Sequence, residues 1–180
     1  MIQTPFRSLF TRYLPLFFLA LVLLVSASGC NARWHLDGDN RAAHSAERVR
    51  TLQEQAEEGD ANAQALLGFL YYRGSGVSQD YDQARKWFEK AAEWMPDHGR
   101  LFYNLAIAHQ TLENPAEAEQ AYQRAIEIDP QNGDFRYGLI TLYMQQAQYK
   151  KALEQAETLD QIFPGNPQIQ QLLQAIRQRM

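Results

Sequence analysis

Four histidines, one cysteine and a few neighbouring carboxylates are the residues of this chain whose chemistry could make a reactive site. His35, His44, His98 and His109 share no ligand spacing, whereas a zinc site needs converging His or Cys ligands with supporting hydrogen bonds. Cys30, the single cysteine, excludes an internal disulfide and a cysteine-rich metal site. The pairs Glu57/Glu58 and Glu117/Glu119 are expected on solvated helix faces, with nothing to aim them at one bond as acid–base catalysis requires. No G-x-S-x-G, Walker loop or dinucleotide fingerprint occurs, and Gly74-Ser75-Gly76 lacks a following Gly-Lys. The expectation is a protein without catalytic residues, cofactor or metal.

A chain of 180 residues with 46% hydrophobic and 21% charged content has enough apolar material to fold for most of its length, as one domain with an appended segment. Net charge is −4. The first thirty residues hold Arg7 and Arg12 and no acid, which leaves fifteen basic against 21 acidic residues, a net of −6, for the rest. An acidic body without a basic block argues against nucleic acid, whose phosphates demand clustered Lys and Arg. It argues equally against electrostatic docking on anionic lipid.

Arg7 and Arg12 form a positive n-region. Leu14 to Val25 (LPLFFLALVLLV) is an apolar stretch, and Ser26, Ala27, Ser28 and Gly29 make a small-residue exit before Cys30. These are the three parts of a secretory signal. The apolar core is short of the about 20 residues a helix needs to cross roughly 30 Å of hydrocarbon. An ordinary signal peptide cut nearby and an uncleaved anchor use the same parts.

Ala27-Ser28-Gly29-Cys30 resembles the lipobox of bacterial lipoproteins, with Ala27 where leucine is commonest. The resemblance implies diacylglycerol on the Cys30 thiol, cleavage before it and acylation of the new amino group. Anchoring through more than one chain agrees with the about 0.8 kcal/mol gained per buried CH2. Asn31, rather than aspartate, after the cysteine implies the outer membrane, with the folded domain in the periplasm. Asn31 to Asn40 (NARWHLDGDN) has no apolar period and reads as a tether, with Trp34 placed to meet the lipid interface.

Beyond the tether the chain repeats. Pro96, Pro130 and Pro164 are spaced 34 residues apart. Five before each stand Ala91, Ala125 and Leu159; eight before, Phe88, Tyr122 and Ala156; twelve before, Ala84, Ala118 and Ala152. Upstream, Leu67-Gly68-x-x-Tyr71, Leu105-Ala106-x-x-His109 and Leu139-Ile140-x-x-Tyr143 occupy corresponding places. This period and order resemble tetratricopeptide repeats, each a helical hairpin. Small residues let the two helices approach, an aromatic fills the wedge between neighbours, and proline stops the second helix. Asn114-Pro115-x-Glu117 and Asn166-Pro167 each set a capping side chain before a first-turn proline.

The first unit is longer. Tyr71 to Ala84 spans 13 residues, where His109 to Ala118 and Tyr143 to Ala152 each span 9. The four extra residues fall in Gly74-Ser75-Gly76-Val77. Ala63-Gln64, Leu67-Gly68, Tyr71, Gly74, Gly76-Val77, Asp80, Ala84, Trp87 and Lys90-Ala91-Ala92 resemble a Sel-one-like repeat, a longer relative of the tetratricopeptide unit. Glu47 to Glu58, with Val49, Leu52 and Ala56, resembles the second helix of a preceding half-repeat. Pro167 to Met180 shows a narrow stripe of Ile169, Leu172, Leu173 and Ile176, as a closing helix requires.

The expected organisation is all-α: a signal peptide at 1–29, anchor and tether at 30–41, an N-terminal capping helix at 42–60, and a Sel-one-like repeat at 61–96. Tetratricopeptide repeats follow at 99–132 and 133–166, with a C-terminal capping helix at 167–180. The resemblance implies a right-handed superhelical solenoid whose first helices line a concave face. Its lining residues are Phe69, Tyr72 and Arg73, then Arg100, Tyr103, Asn104, Ile107 and Thr111, then Asp134, Tyr137, Thr141, Met144 and Gln145. Tyr103 and Tyr137 are equivalent and, with Phe69 and Tyr72, make an aromatic strip suited to a peptide with apolar anchors. Packing between neighbouring helices is the other reading of these aromatics. A carboxylate clamp of Lys, Asn and Arg, known in relatives, is not matched: Asn104 fits, but Ala65, Phe69, Asp134 and Tyr137 fill the other places.

The function these residues imply is a membrane-anchored periplasmic scaffold or adaptor that binds an envelope protein or peptide. Resemblance to short tetratricopeptide lipoproteins favours assembly of pili or secretins. A regulator or inhibitor of a periplasmic enzyme is the alternative, and a cell-wall-processing enzyme is a third, more remote one.

Overall fold

The computed structural model describes Ser45 to Met180; the signal segment, Cys30, the tether with Trp34, and His35 and His44 lie outside the described residues. The described residues form eight helices and no strand. These are α1 (45–57), α2 (Ala61–Arg73), α3 (Tyr81–Trp94), α4 (Gly99–Thr111), α5 (Pro115–Ile128), α6 (Gly133–Gln145), α7 (Tyr149–Ile162) and α8 (Pro167–Arg177). Within the unit Arg48–Met180, the chain order is also the packing order: α2 pairs with α3, α4 with α5 and α6 with α7, and each hairpin leans on the next. The molecule is an all-α helical-hairpin repeat.

Start and stop signals account for the helix bounds. Carboxylate oxygens of Asp60 and Asp80 accept from the amides of Ala63 and Gln83, each at 2.9 Å, filling one of the unpaired N–H groups that open a helix. Asn132 and Asn166 cap α6 and α8 by accepting from Asp134 N at 3.2 Å and Gln168 N at 2.9 Å. Asn114 departs from expectation, because its side chain makes no capping bond. Its backbone is drawn in, at ψ 73° against 118° for Asn166, by the bond from its own N–H to His109 O at 2.9 Å. At the other end, α3, α5 and α7 stop two residues before Pro96, Pro130 and Pro164.

The hairpin turns show how the insertion is absorbed. In the second and third units, Glu113 and Ala147 take positive φ (58° and 55°), and the chain returns with Asn114 N donating to His109 O and Gln148 N to Tyr143 O at 2.9 and 2.8 Å. In the first unit two glycines do this work, Gly74 at φ 66° and Gly76 at φ 78°, a region where a β-carbon is penalised. Asp80 N then closes the longer loop on Tyr71 O at 3.0 Å. Tyr71, His109 and Tyr143 are equivalent positions, so the extra residues loop out without shifting the register.

Close helix approach rests on alanines. Ala84, Ala91, Ala106, Ala118, Ala125, Ala152 and Ala156 are fully buried, and Phe88 and Tyr122 fill the wedges between hairpins. Burying such a ring contributes about 1.5–3 kcal/mol. Ala56 and Leu52 of α1 pack with Ala63, Leu67 and Trp87, and the buried Gln64 Nε2 donates to Ala56 O at 3.0 Å, tying α1 to α2. At the far end Ile169, Leu173 and Ile176 are buried, while Leu172 is only half-buried.

Candidate functional site

Every residue expected to line the groove lies on one of the first helices α2, α4 and α6. Phe69, Arg73, Arg100, Thr111, Asp134, Tyr137 and Gln145 are exposed; Tyr72, Tyr103, Asn104, Ile107, Thr141 and Met144 are half-buried. Some of their polar capacity is spent locally. Thr111 Oγ1 donates to Ile107 O and Thr141 Oγ1 to Tyr137 O, both at 2.9 Å, the common way for a helical hydroxyl to satisfy itself. Gln110 joins hairpins by accepting from Tyr122 Oη at 2.7 Å and donating to Gln145 Oε1 at 2.6 Å.

The expected aromatic strip is interrupted at Tyr103. Its ring lies 5.3 Å from Phe135 and 5.8 Å, edge-on, from Tyr122, and Arg100 stands over both Tyr103 and Phe135 at 5.3 and 5.2 Å. Burial pushes the Tyr103 phenol above its ordinary pKa, with the nearby Asp134 carboxylate adding to the effect. Tyr103 is thus largely a packing residue of the junction between the second and third hairpins. Tyr72 likewise leans on Tyr81, centroids 5.6 Å apart.

Tyr137 differs, with 55% of its surface exposed. It lines a hollow of about 800 Å³ between α6 and α8, whose other walls include Gly133, Asp134, Leu159, Phe163, Ile169 and Leu172. The contrast follows from the 34-residue register. Tyr122 and Phe135, which cover Tyr103, correspond to Ala156 and Ile169 around Tyr137. Helices α4 and α6 approach each other directly, whereas α8 packs chiefly on α7. Phe163, Leu172 and their neighbours leave a hollow beside the closing helix α8, and the one sign of it in the repeat pattern is Ala156 in the aromatic position.

The chemistry-bearing residues resolve into hairpin seams. His98 Nδ1 caps α4 by accepting from Leu101 N at 3.1 Å. His109 occupies the core place of Tyr71 and Tyr143 and is 8% exposed, with Nε2 3.7 Å from Glu89. Burial lowers its pKa; Glu89 and Glu117 oppose that shift and Arg85 reinforces it. Glu119 is not simply solvated: it accepts from Tyr143 Oη at 2.8 Å and lies 3.2 Å from Lys151 Nζ. One repeat on, Arg177 is 3.2 Å from Glu157. Among the described residues no group of three or more His, Cys, Asp or Glu is disposed to hold a metal ion, and no helix is long and apolar enough to cross a membrane.

Residues 61–93 match the model of the Sel1 repeat, and residues 111–176 match that of the tetratricopeptide repeat. The chain is 29% identical over 99 residues to human Superkiller complex protein 3, covering 55% of this chain and 6% of that protein. It is 40% identical over 43 residues to the secretory immunoglobulin A-binding protein EsiB of Escherichia coli O6:H1, 24% of this chain and 9% of that one. The matched region therefore spans less than a tenth of these two relatives. Among solved structures, MamA superposes with TM-score 0.66 at 20% identity over 79% of this chain and 77% of that one. The TPR2B domain of yeast Sti1, in complex with pHsp70, gives 0.57 at 25% identity over 67% and 98%. The chain is an all-α helical-hairpin repeat protein, in which a segment similar to the Sel1 repeat precedes one similar to the tetratricopeptide repeat.

Proposed function

We propose that this protein is an interaction scaffold that holds a peptide segment of a partner on the face of α2, α4, α6 and α8. The observation that carries this is Tyr137, an aromatic ring left open on a well-packed helix at the mouth of an 800 Å³ hollow. A large apolar ring held by secondary structure loses little entropy on binding, as interface anchors require. The complex of the yeast Sti1 domain with pHsp70 and the immunoglobulin A-binding role of EsiB support a protein-binding use of such repeats.

The setting we propose is the periplasmic side of the outer membrane, with the chain anchored by lipid on Cys30 and serving assembly of a pilus or secretin. The support is the likeness of Ala27 to Cys30 to a lipobox and the acidic, block-free charge of the body. The test is a photo-crosslinking amino acid at position 137, and for contrast at position 120 on α5, in cells making the full chain. Capture of one envelope protein from position 137 alone, in the outer-membrane fraction, is expected, and Cys30→Ser is expected to release the chain from the membrane. Equal capture from both positions would sink the groove. A soluble chain that inhibits a captured periplasmic enzyme would instead favour the regulator.

A further inference from the structure

We propose that the hollow between α6 and α8 receives a peptide in which an aromatic side chain stands beside a lysine or arginine. This rests on the reading of the first-helix face as peptide-binding, and specifies the ligand chemistry of its last slot.

The molecule itself contains a filled version of the slot, one repeat earlier. There Phe135 packs on Tyr103 at 5.3 Å, Tyr122 closes the edge at 5.8 Å, and the Arg100 guanidinium lies over the Tyr103 and Phe135 rings. Thirty-four residues on, Tyr103 is matched by Tyr137, but Phe135 by Ile169, Tyr122 by Ala156 and Arg100 by Asp134. The base ring is retained. The ring that covered it is gone, and a carboxylate stands where the cation stood.

Charge and shape therefore ask the ligand for the missing pair. An aromatic side chain takes the place of Phe135 on Tyr137, walled by Leu159, Phe163 and Leu172. A neighbouring cation takes the place of Arg100, within reach of the π-face of Tyr137 and of Asp134, whose side chain is 68% exposed and whose contact with Arg100 is long at 3.4 Å. No basic residue lines the hollow to repel that cation, and Asn166, Gln168 and Gln171 supply amides for a peptide backbone. At about 800 Å³, the space is within the range of sites that bury a ligand of several groups.

The test selects phage-displayed random twelve-residue peptides on the full chain in detergent micelles, then measures Kd for labelled winners by fluorescence anisotropy. Enrichment of an aromatic next to Lys or Arg is expected. Tyr137→Ala should weaken binding roughly tenfold or more, about 1.4 kcal/mol. Ile169→Phe, which rebuilds the internal ring, should weaken it similarly while thermal unfolding stays at or above that of the parent chain. Asp134→Lys should turn the preference of the flank from basic to acidic, a gain that an unfolded variant could not give.

Winners indifferent to Tyr137→Ala, with a flank preference unchanged in Asp134→Lys, would overturn the ligand assignment while leaving the groove reading intact. Winners that depend only on substitutions on α3 or α5 would overturn both, and so would the absence of any enriched sequence. Self-association abolished by Tyr137→Ala, or peptide binding seen only after deletion of residues 31–40 with their Arg33-Trp34 pair, would replace the partner peptide with a second copy or the chain's own segment.

Discussion

Tyr122 of α5 occupies the volume that a side chain on Gly138 of α6 would need. A β-carbon there would stand 2.5 Å from Tyr122 Cε1 and 3.0 Å from Cζ. The ring has no room to swing away, being 2% exposed and held by its hydroxyl donating to Gln110. At the next junction the arrangement is exchanged: Ala156 replaces the ring and Leu172 replaces the glycine.

Gly138→Ala is therefore expected to destabilise. Alanine improves helix propensity by about 1 kcal/mol, but overpacking a fixed ring costs about 1–3 kcal/mol, and the 2.5 Å approach places this site at the costly end. Urea unfolding should show a net loss of about 1 kcal/mol or more, with Tyr122→Leu in the same chain recovering part of it. A Gly138→Ala chain as stable as its parent would refute the wedge.

Tyr103 and Tyr137, equivalent in sequence, should separate in experiment. Tyr103→Ala removes a ring packed against Phe135 and Tyr122 and should lower stability by about 2 kcal/mol. Tyr137→Ala removes an exposed ring and should stay within about 0.5 kcal/mol of the parent, with its effect confined to partner binding. Equal stability losses by chemical denaturation would show that both rings are structural.

His109 should make stability depend on pH. Its pKa is lowered in the fold, first by burial, so below the usual histidine value near 6.5 the unfolded chain binds more protons than the folded one. Stability is then full above that value and falls as pH drops from it toward the folded pKa, where the loss levels off. Urea midpoints from pH 7.5 to 4.5 should show this slope, and His109→Gln should reduce it. Glu89, Arg85 and Glu117 act on the same group, and an unchanged slope in the variant would show that His109 is not its source.

The Tyr143–Glu119 bond should be measurable across the second hairpin seam. Burial, then the hydrogen bond to Glu119, pushes the Tyr143 phenol up to about 12, so it remains a donor throughout the working range. Tyr143→Phe is expected to cost about 1 kcal/mol, and a double-mutant cycle with Glu119→Ala should return a coupling of about 0.5–1.5 kcal/mol. Coupling near zero would mean that Glu119 is held by Lys151 alone.

Much of the fold was legible because its determinants are local. The proline spacing, the alanines at helix crossings and the Gly74/Gly76 turn act through backbone geometry and nearest neighbours, which a 34-residue register displays directly. The same register assigned the expected lining residues to the first helices α2, α4 and α6, on which they stand. It misjudged Asn114 as a capping side chain, because the tight turn at Glu113 sets that residue's backbone, and it misjudged Glu119 as solvated, because its partners Tyr143 and Lys151 lie on α6 and α7.

What the sequence by itself determined is the repeat, its insertion and the ordering of hairpins, all consequences of short-range sterics and periodic burial. Only the tertiary structure decided which of two equivalent tyrosines packs and which stays open. That outcome depends on rings contributed by α5 and α6 to one tyrosine and on the smaller Ala156 and Ile169 contributed by α7 and α8 to the other, a difference in volume that exists only once three helices meet.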